Sequence, residues 1–190
     1  ATLSLWEVED PSRFGVCDLD SSGMIRRFQE KPKRGTEFSK LINAGCSILE
    51  RDVLNSLPDG KFSMEREIFP GIAEAGNMSG LVFEGYFVDA GTPSSFIEAA
   101  RVCIQNNRFS TGRREGGNWF GVGSVCNGKV ENCSIGSEVI ISPGAKLSDS
   151  VILDGATVGE GANLESCIVG EGFEVLPRST MVGQVVANSN

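Results

Sequence analysis

A single carboxylate, Asp89, stands in the stretch Gly85-Tyr86-Phe87-Val88-Asp89-Ala90-Gly91-Thr92-Pro93. Tyr86, Phe87 and Val88 are strand formers, and Gly91 permits a tight turn. Thr92 can cap a helix, and Pro93 suits its first position. The pattern predicts the end of a buried strand, a turn and the start of a helix. Asp89 would then sit at the carboxyl end of a strand, where open α/β sheets hold their ligands. Taken alone, the same pattern serves a plain turn residue as well. A second candidate is the basic loop Glu30-Lys31-Pro32-Lys33-Arg34-Gly35, which breaks a strand and is equally compatible with solvated surface. Asn43 and Gly45 stand at the entrance of the run Cys46-Ser47-Ile48-Leu49.

Composition removes several chemistries. The chain has no histidine, which excludes a Ser-His or Cys-His nucleophile within it and any histidine-ligated metal. Its six cysteines, Cys17, Cys46, Cys103, Cys126, Cys133 and Cys167, form no Cys-x-x-Cys pair and sit singly in apolar surroundings. That usage predicts a reducing, cytoplasmic compartment, with a disulfide framework as the alternative. The net charge of −8 repels polyanions, so neither nucleic acid nor an anionic membrane is expected as the main partner. Phosphorylated metabolites remain compatible through a local lysine or arginine cluster or a divalent metal. No apolar run reaches the roughly 18 residues of a membrane span.

The elements that must position these groups follow from pattern. The chain opens on Ala1-Thr2-Leu3-Ser4-Leu5-Trp6-Glu7-Val8, already a strand, as a piece of something longer would. Residues 1–30 predict three strands, the second and third joined by the turn Asp20-Ser21-Ser22-Gly23. The second half of 41–49 predicts a buried strand of the parallel-sheet kind. A short helix is expected over Asp52 to Leu57. A further helix is expected after the cap Ser63, with Glu65 and Glu67 near its positive end and Pro70 kinking or dividing it. A strand Leu81-Val82-Phe83 comes next. From Pro93 on, Phe96, Ala99, Ala100, Cys103 and Ile104 recur at helical spacing with one buried face. Residues 108–121 predict a polar, Gly-rich linker between a domain at 1–107 and another at 122–190.

The second domain is a repeat. Written under one another, residues 131–147, 148–164 and 165–181 align Ile135 with Ile152 and Val169. The same alignment brings Ile141 to Val158 and Val175, and Leu147 to Leu164 and Met181. Within each block the aliphatics are six apart, the period of a triangular parallel β-helix whose coils bury their aliphatics only by stacking. Glycine is too frequent for a helical alternative. Cys133, Ser150 and Cys167 fall at one equivalent position, which suggests stacking. Residues 114–130 would be a degenerate first coil, in which Val130 fits the phase and Asn118 does not.

Five motifs now occur in order. They are Val8-Glu9-Asp10-Pro11-Ser12-Arg13-Phe14-Gly15-Val16, Glu30-Lys31-Pro32, Ile42-Asn43-Ala44-Gly45, Ser63-Met64-Glu65-Arg66-Glu67-Ile68-Phe69-Pro70, and Tyr86-Phe87-Val88-Asp89-Ala90-Gly91-Thr92-Pro93. With the repeat behind them, the chain resembles the sugar-1-phosphate nucleotidyltransferase family, and within it the mannose-1-phosphate guanylyltransferases. The resemblance implies the later part of an α/β catalytic domain with a Rossmann-like mixed sheet, followed by a left-handed parallel β-helix. It implies attack of a sugar 1-phosphate on the α-phosphate of a nucleoside triphosphate, with pyrophosphate released. It also implies roles. Asp89 would hold Mg²⁺, and Lys31 would contact the sugar phosphate. Glu30 and Asn43 would take sugar hydroxyls, and Gly15 and Gly45 would let backbone approach the sugar. Lys31 and Asp89 are therefore the two expected catalytic residues. The family's Gly-rich nucleotide loop and second metal-binding Asp are placed ahead of Ala1. This stretch would then need that portion as a preceding segment or complementary chain, and the β-helix predicts a homo-oligomer. Two other readings compete. One is a non-catalytic regulatory or assembly module. The other is an acyltransferase, which ordinarily relies on a histidine base that this chain lacks.

Overall fold

The fold is that of a computed structural model, which describes residues 1–188 in two compact units, Ala1–Phe87 and Val88 onward. No helix among the described residues is long and apolar enough to cross a membrane.

The first unit is a mixed sheet. Its strands are β1 (Thr2–Glu7), β2 (Gly15–Leu19), β3 (Ile25–Glu30), β4 (Leu41–Ile48) and β5 (Ser79–Val82). They lie in the order β3-β2-β4-β1-β5, antiparallel throughout except for the parallel pair β1 and β5. Alternation in β1, and in β3 an extra residue at Arg26 that shifts the register, send Leu3, Leu5, Ile25 and Phe28 into one core with Cys17, Phe69, Ala73 and Met78. Burial pushes the Cys17 thiol up to about 12.

The expected hairpin forms. Asp20 Oδ1 accepts the Ser22 hydroxyl at 2.6 Å and the amides of Ser22 and Met24 at 2.9 and 3.0 Å. These bonds, the Ser22 hydroxyl first, hold the Asp20 carboxyl well below the usual carboxylate range. The short helix α1 occupies Arg51–Asn55. Ser63 caps the next helical segment, its hydroxyl accepting the Arg66 amide at 3.2 Å. Pro70 does divide that segment. A π-helical turn runs over Met64–Ile68, and α2 (Phe69–Glu74) restarts with the proline in its first turn, where no amide is needed.

Two expectations for this unit fail. The second half of β4 is antiparallel to β1 and exposed on both faces, Ser47 on the face of Leu3 as well as Ile48 on that of Thr2. Tyr86–Val88 is not a strand. After Val82 the edge strand ends, and Gly85 turns the chain at φ +129°, outside the extended range. The rings of Phe83 and Phe87 instead fold back on the unit. Phe83 packs on Trp6 at 4.9 Å between ring centroids, and Phe87 meets both Trp6 and Phe14 at 6.2 Å.

The second unit opens with α3 (Pro93–Gln105). Thr92 and Ser95 form a reciprocal capping box, and Pro93 takes the first turn. The buried stripe is set one position from the expected one. Ile97 and Ile104 are covered, whereas Phe96 is exposed. Ile97 and Ala100 pack on Val151 and Ile168, two outward residues of the solenoid. This gives α3 a partner that its own periodicity could not name. Arg101 ties the packing down by bonding Asp149 Oδ1 at 2.9 Å.

The segment 108–121 carries an antiparallel hairpin, β6 (Arg113–Glu115) and β7 (Asn118–Phe120), closed over Gly116 at φ +59°. Beyond it lies a parallel β-solenoid of about four turns. Its ladders are those the repeat predicts: Ile135 with Ile152 and Val169, Ile141 with Val158 and Val175, Leu147 with Leu164 and Met181. These side chains, with Val139, Ala145, Ala156 and Ala162, form one continuous core.

The first coil escapes the repeat for a definite reason. Phe120 pairs with Ile135 and Cys126 with Ile141, each 15 residues away, but Val130 pairs with Leu147, 17 away. Its corner at Asn127-Gly128 is two residues short. Phe120, not Asn118, therefore takes the inward place. Asn118 instead heads the Cys133–Ser150–Cys167 column. Its Oδ1 accepts the Cys133 amide at 2.9 Å, as Ser150 Oγ accepts the Cys167 amide at 3.0 Å. Burial pushes the Cys133 thiol up to about 11.

Candidate functional site

Five of the expected site residues meet at one end of three neighbouring strands. Gly15 on β2 is paired with Glu30 on β3. Val16 is paired with Ile42, so Gly15 and Asn43, one residue along on β2 and β4, are also neighbours. Directly opposed residues share a sheet face, which places Glu30, the bare backbone of Gly15 and Asn43 in one transverse row.

Glu30 is held over the glycine. Its Oε2 is 3.0 Å from where a Cβ on residue 15 would stand, and Phe28 Cζ is 2.5 Å from the same point. Lys31 follows at φ +44°, left-handed backbone that a non-glycine residue rarely adopts. Its amide bonds the Phe14 carbonyl at 2.9 Å, and Pro32 beyond it is buried. The strand thus turns sharply at Lys31, and the ammonium stands 3.5 Å from Glu30 Oε1 while remaining largely exposed. Other charges nearby are already engaged: Arg34 with Asp10 at 3.3 Å and Lys40 with Glu9 at 2.8 Å.

Asn43 and Gly45 lie in a β-bulge. Leu5 faces Asn43 and Leu3 faces Ser47, so Ser4 alone stands opposite Ala44, Gly45 and Cys46. Gly45 takes φ +87°, and its amide bonds Asn43 Oδ1 at 3.1 Å. The amide oxygen of Asn43 is thereby committed inside the bulge, which leaves its two N–H groups as donors for a ligand. Across the bulge, the Ser4 hydroxyl donates to the Cys46 carbonyl at 3.0 Å and accepts the Cys46 amide at 3.2 Å. Sequence reasoning did not single out Ser4. A serine between Leu3 and Leu5 reads as the outward residue of an alternating strand. The signal for the bulge was Gly45, a glycine inside a strand pattern.

Asp89 lies in the second unit, exposed, three residues before the Thr92 cap of α3. Its carboxylate folds back over Gly91, where a Cβ would stand 3.3 Å from Oδ1. No cluster of three or more metal-binding side chains occurs among the described residues. Mg²⁺ in nucleotide sites is commonly held by one or two carboxylates together with substrate phosphate oxygens and water. Asp89 suits the place of one such carboxylate.

The row and loop offer an acceptor, donors, a cation and, at Gly45, uncovered backbone within a short reach. That is a set suited to a hydroxylated, phosphorylated ligand.

Two family models match the chain. Residues 1–106 match the family described as Nucleotidyl transferase, and residues 119–188 match GlmU-like, C-terminal hexapeptide. "Probable mannose-1-phosphate guanylyltransferase 3" of Oryza sativa subsp. japonica is 33% identical over 160 residues, covering 80% of this chain and 43% of the rice protein. Mannose-1-phosphate guanylyltransferase 1 of Arabidopsis thaliana is 31% identical over 158 residues, with 80% and 43% covered. Mannose-1-phosphate guanylyltransferase catalytic subunit beta of Xenopus tropicalis is 33% identical over 150 residues, with 78% and 37% covered. The chain thus spans less than half the length of these relatives.

Proposed function

The chain belongs to the nucleotidyl transferase family, and we propose that it carries the sugar-phosphate side of a site that makes a nucleoside diphosphate sugar, as in a mannose-1-phosphate guanylyltransferase. The observation that carries this reading is the row of Glu30, Gly15 and Asn43 with Lys31 beside it. In the reaction, a phosphate oxygen of the sugar 1-phosphate attacks the α-phosphorus of the triphosphate. The bond to the bridging oxygen breaks, and pyrophosphate leaves with the electron pair. Two anions must approach, so fixed cations do most of the work.

Lys31 neutralises the sugar phosphate as a point charge. Glu30 accepts from sugar hydroxyls, and Asn43 donates to others through the N–H groups its bulge leaves open. Gly45 keeps its backbone open to the ligand, and Gly15 serves it by making room for the Glu30 carboxylate. Mg²⁺, held in part by Asp89, would supply charge neutralisation at the phosphates.

The nucleotide grip falls to a portion of the fold outside this stretch, as a preceding segment or a complementary chain. The sheet supports this reading. Opposite α2, its open face presents Ile48 at 71% and Leu81 at 65% exposure, large apolar groups fit for cover by such a portion. The solenoid serves self-association, and the six unpaired thiols suit a reducing cytoplasm.

Calorimetric titration of the chain with mannose 1-phosphate tests the assignment. Binding weakened by Lys31→Ala and by Asn43→Ala is expected. Binding absent from the wild-type chain, or indifferent to both changes, would count against the site.

A further inference from the structure

The bulge that shapes half of this site is fastened from outside it. A regular antiparallel ladder would pair the backbone of residue 4 with β4, but two extra residues on β4 carry Ala44, Gly45 and Cys46 past it. The backbone groups of Cys46 would then lack strand partners. One side chain supplies both. Ser4 Oγ donates to the Cys46 carbonyl at 3.0 Å and receives the Cys46 amide at 3.2 Å. On the inner side, Asn43 Oδ1 holds the Gly45 amide at 3.1 Å, with Gly45 at φ +87°. The bulge is pinned at two consecutive amides, one by its own asparagine and one by the serine across the sheet.

We propose that Ser4 is a positioning residue: its hydroxyl fixes the bulge and thereby the orientation in which Asn43 presents its N–H donors and Gly45 its open backbone. The inference rests on the assignment of Asn43 and Gly45 to the sugar phosphate. Ser4 itself touches no ligand. It points to the same face as Leu81, whereas Asn43 shares the face of Leu5. Its influence must pass through the backbone of residues 44–46, to which its hydroxyl is bonded twice.

The test compares Ser4→Ala with Ser4→Thr in the full chain, the second retaining the hydroxyl. Amide exchange measured by NMR at Gly45 and Cys46 reports the bulge, and the Asn43 side-chain amide resonance reports the presented donors. Titration with mannose 1-phosphate reports the site. In Ser4→Ala, Cys46 exchange should rise by about tenfold or more, Gly45 exchange should rise less, and the Asn43 resonance should move. Mannose 1-phosphate should bind roughly three- to tenfold more weakly, as fits loss of a hydrogen-bonded pair. Ser4→Thr should restore all of these. Unchanged Cys46 and Gly45 exchange in Ser4→Ala would overturn the clamp. So would a loosened bulge with affinity unchanged, or a threonine variant as impaired as the alanine one. A wild-type chain that binds no mannose 1-phosphate would defeat the reading of the site instead, and the exchange rates and Asn43 resonance would still decide the clamp.

Discussion

The Glu30 carboxylate lies over the backbone of Gly15, its Oε2 3.0 Å from the place a Cβ would take, with the Phe28 ring edge 2.5 Å from that same place. The glycine is needed for space, since its backbone is not left-handed. Phe28 belongs to the core between the sheet and α2, so it cannot retreat without strain.

Gly15→Ala should therefore do two things at once. Overpacking of this kind costs about 1–3 kcal/mol, and thermal unfolding of the first unit should fall by several degrees. Glu30 should also be displaced, so mannose 1-phosphate affinity should fall more than stability alone explains. Calorimetry and a melting curve on one sample separate the two effects. An alanine variant with wild-type midpoint and affinity would show that Phe28 and Glu30 have room to spare.

Much of the solenoid was legible because a coil is a local rule repeated. Ile135, Ile152 and Val169 stand one above another as their spacing says. The first coil was not legible, because two missing residues at Asn127-Gly128 break the phase and a pattern of fixed period cannot see a deletion. In the first unit, the hairpin, Ser63 and Pro70 follow local chemistry and were foreseen. Tyr86–Val88 was misread because strand formers make a strand only beside a partner, and here Phe83 and Phe87 pack on Trp6 instead. Glu30, Gly15 and Asn43 come from separate motifs, and the row that joins them depends on strand order, which no single stretch of sequence carries. Ser4 was missed for the same reason.

The solenoid register carries its own consequence. Ile152 is fully buried between Ile135 and Val169. An aspartate there would bury a charge with no partner, a change costing about 3–5 kcal/mol. Each coil depends on its neighbours, so the loss should spread to both adjoining turns. Ile152→Asp should lower the unfolding midpoint of the second unit sharply, whereas an aspartate at the outward Ile140 should be tolerated. Equal midpoints for the two variants would refute the register.

Lys31 and Asp89 make the sharpest test of the functional reading, because they are proposed to act on different parts of one step. Lys31 leaves β3 at a left-handed turn anchored by the Phe14 carbonyl and the buried Pro32, so its ammonium departs from a fixed point. Asp89 is set between the aromatic segment ending at Phe87 and the capped start of α3. A fixed charge that stabilises the transition state is worth roughly 3 kcal/mol, or about a hundredfold in rate. In a complete enzyme carrying this stretch, Asp89→Asn should lower kcat by about that factor at saturating substrates, with affinity for mannose 1-phosphate little changed. Lys31→Ala should chiefly raise KM for the sugar phosphate and leave nucleotide binding intact. The chain of 190 residues alone should release no pyrophosphate from GTP and mannose 1-phosphate. Release by the chain alone, abolished by Asp89→Asn, would show that the nucleotide portion is dispensable. Full turnover in Asp89→Asn within the complete enzyme would remove Asp89 from the metal site.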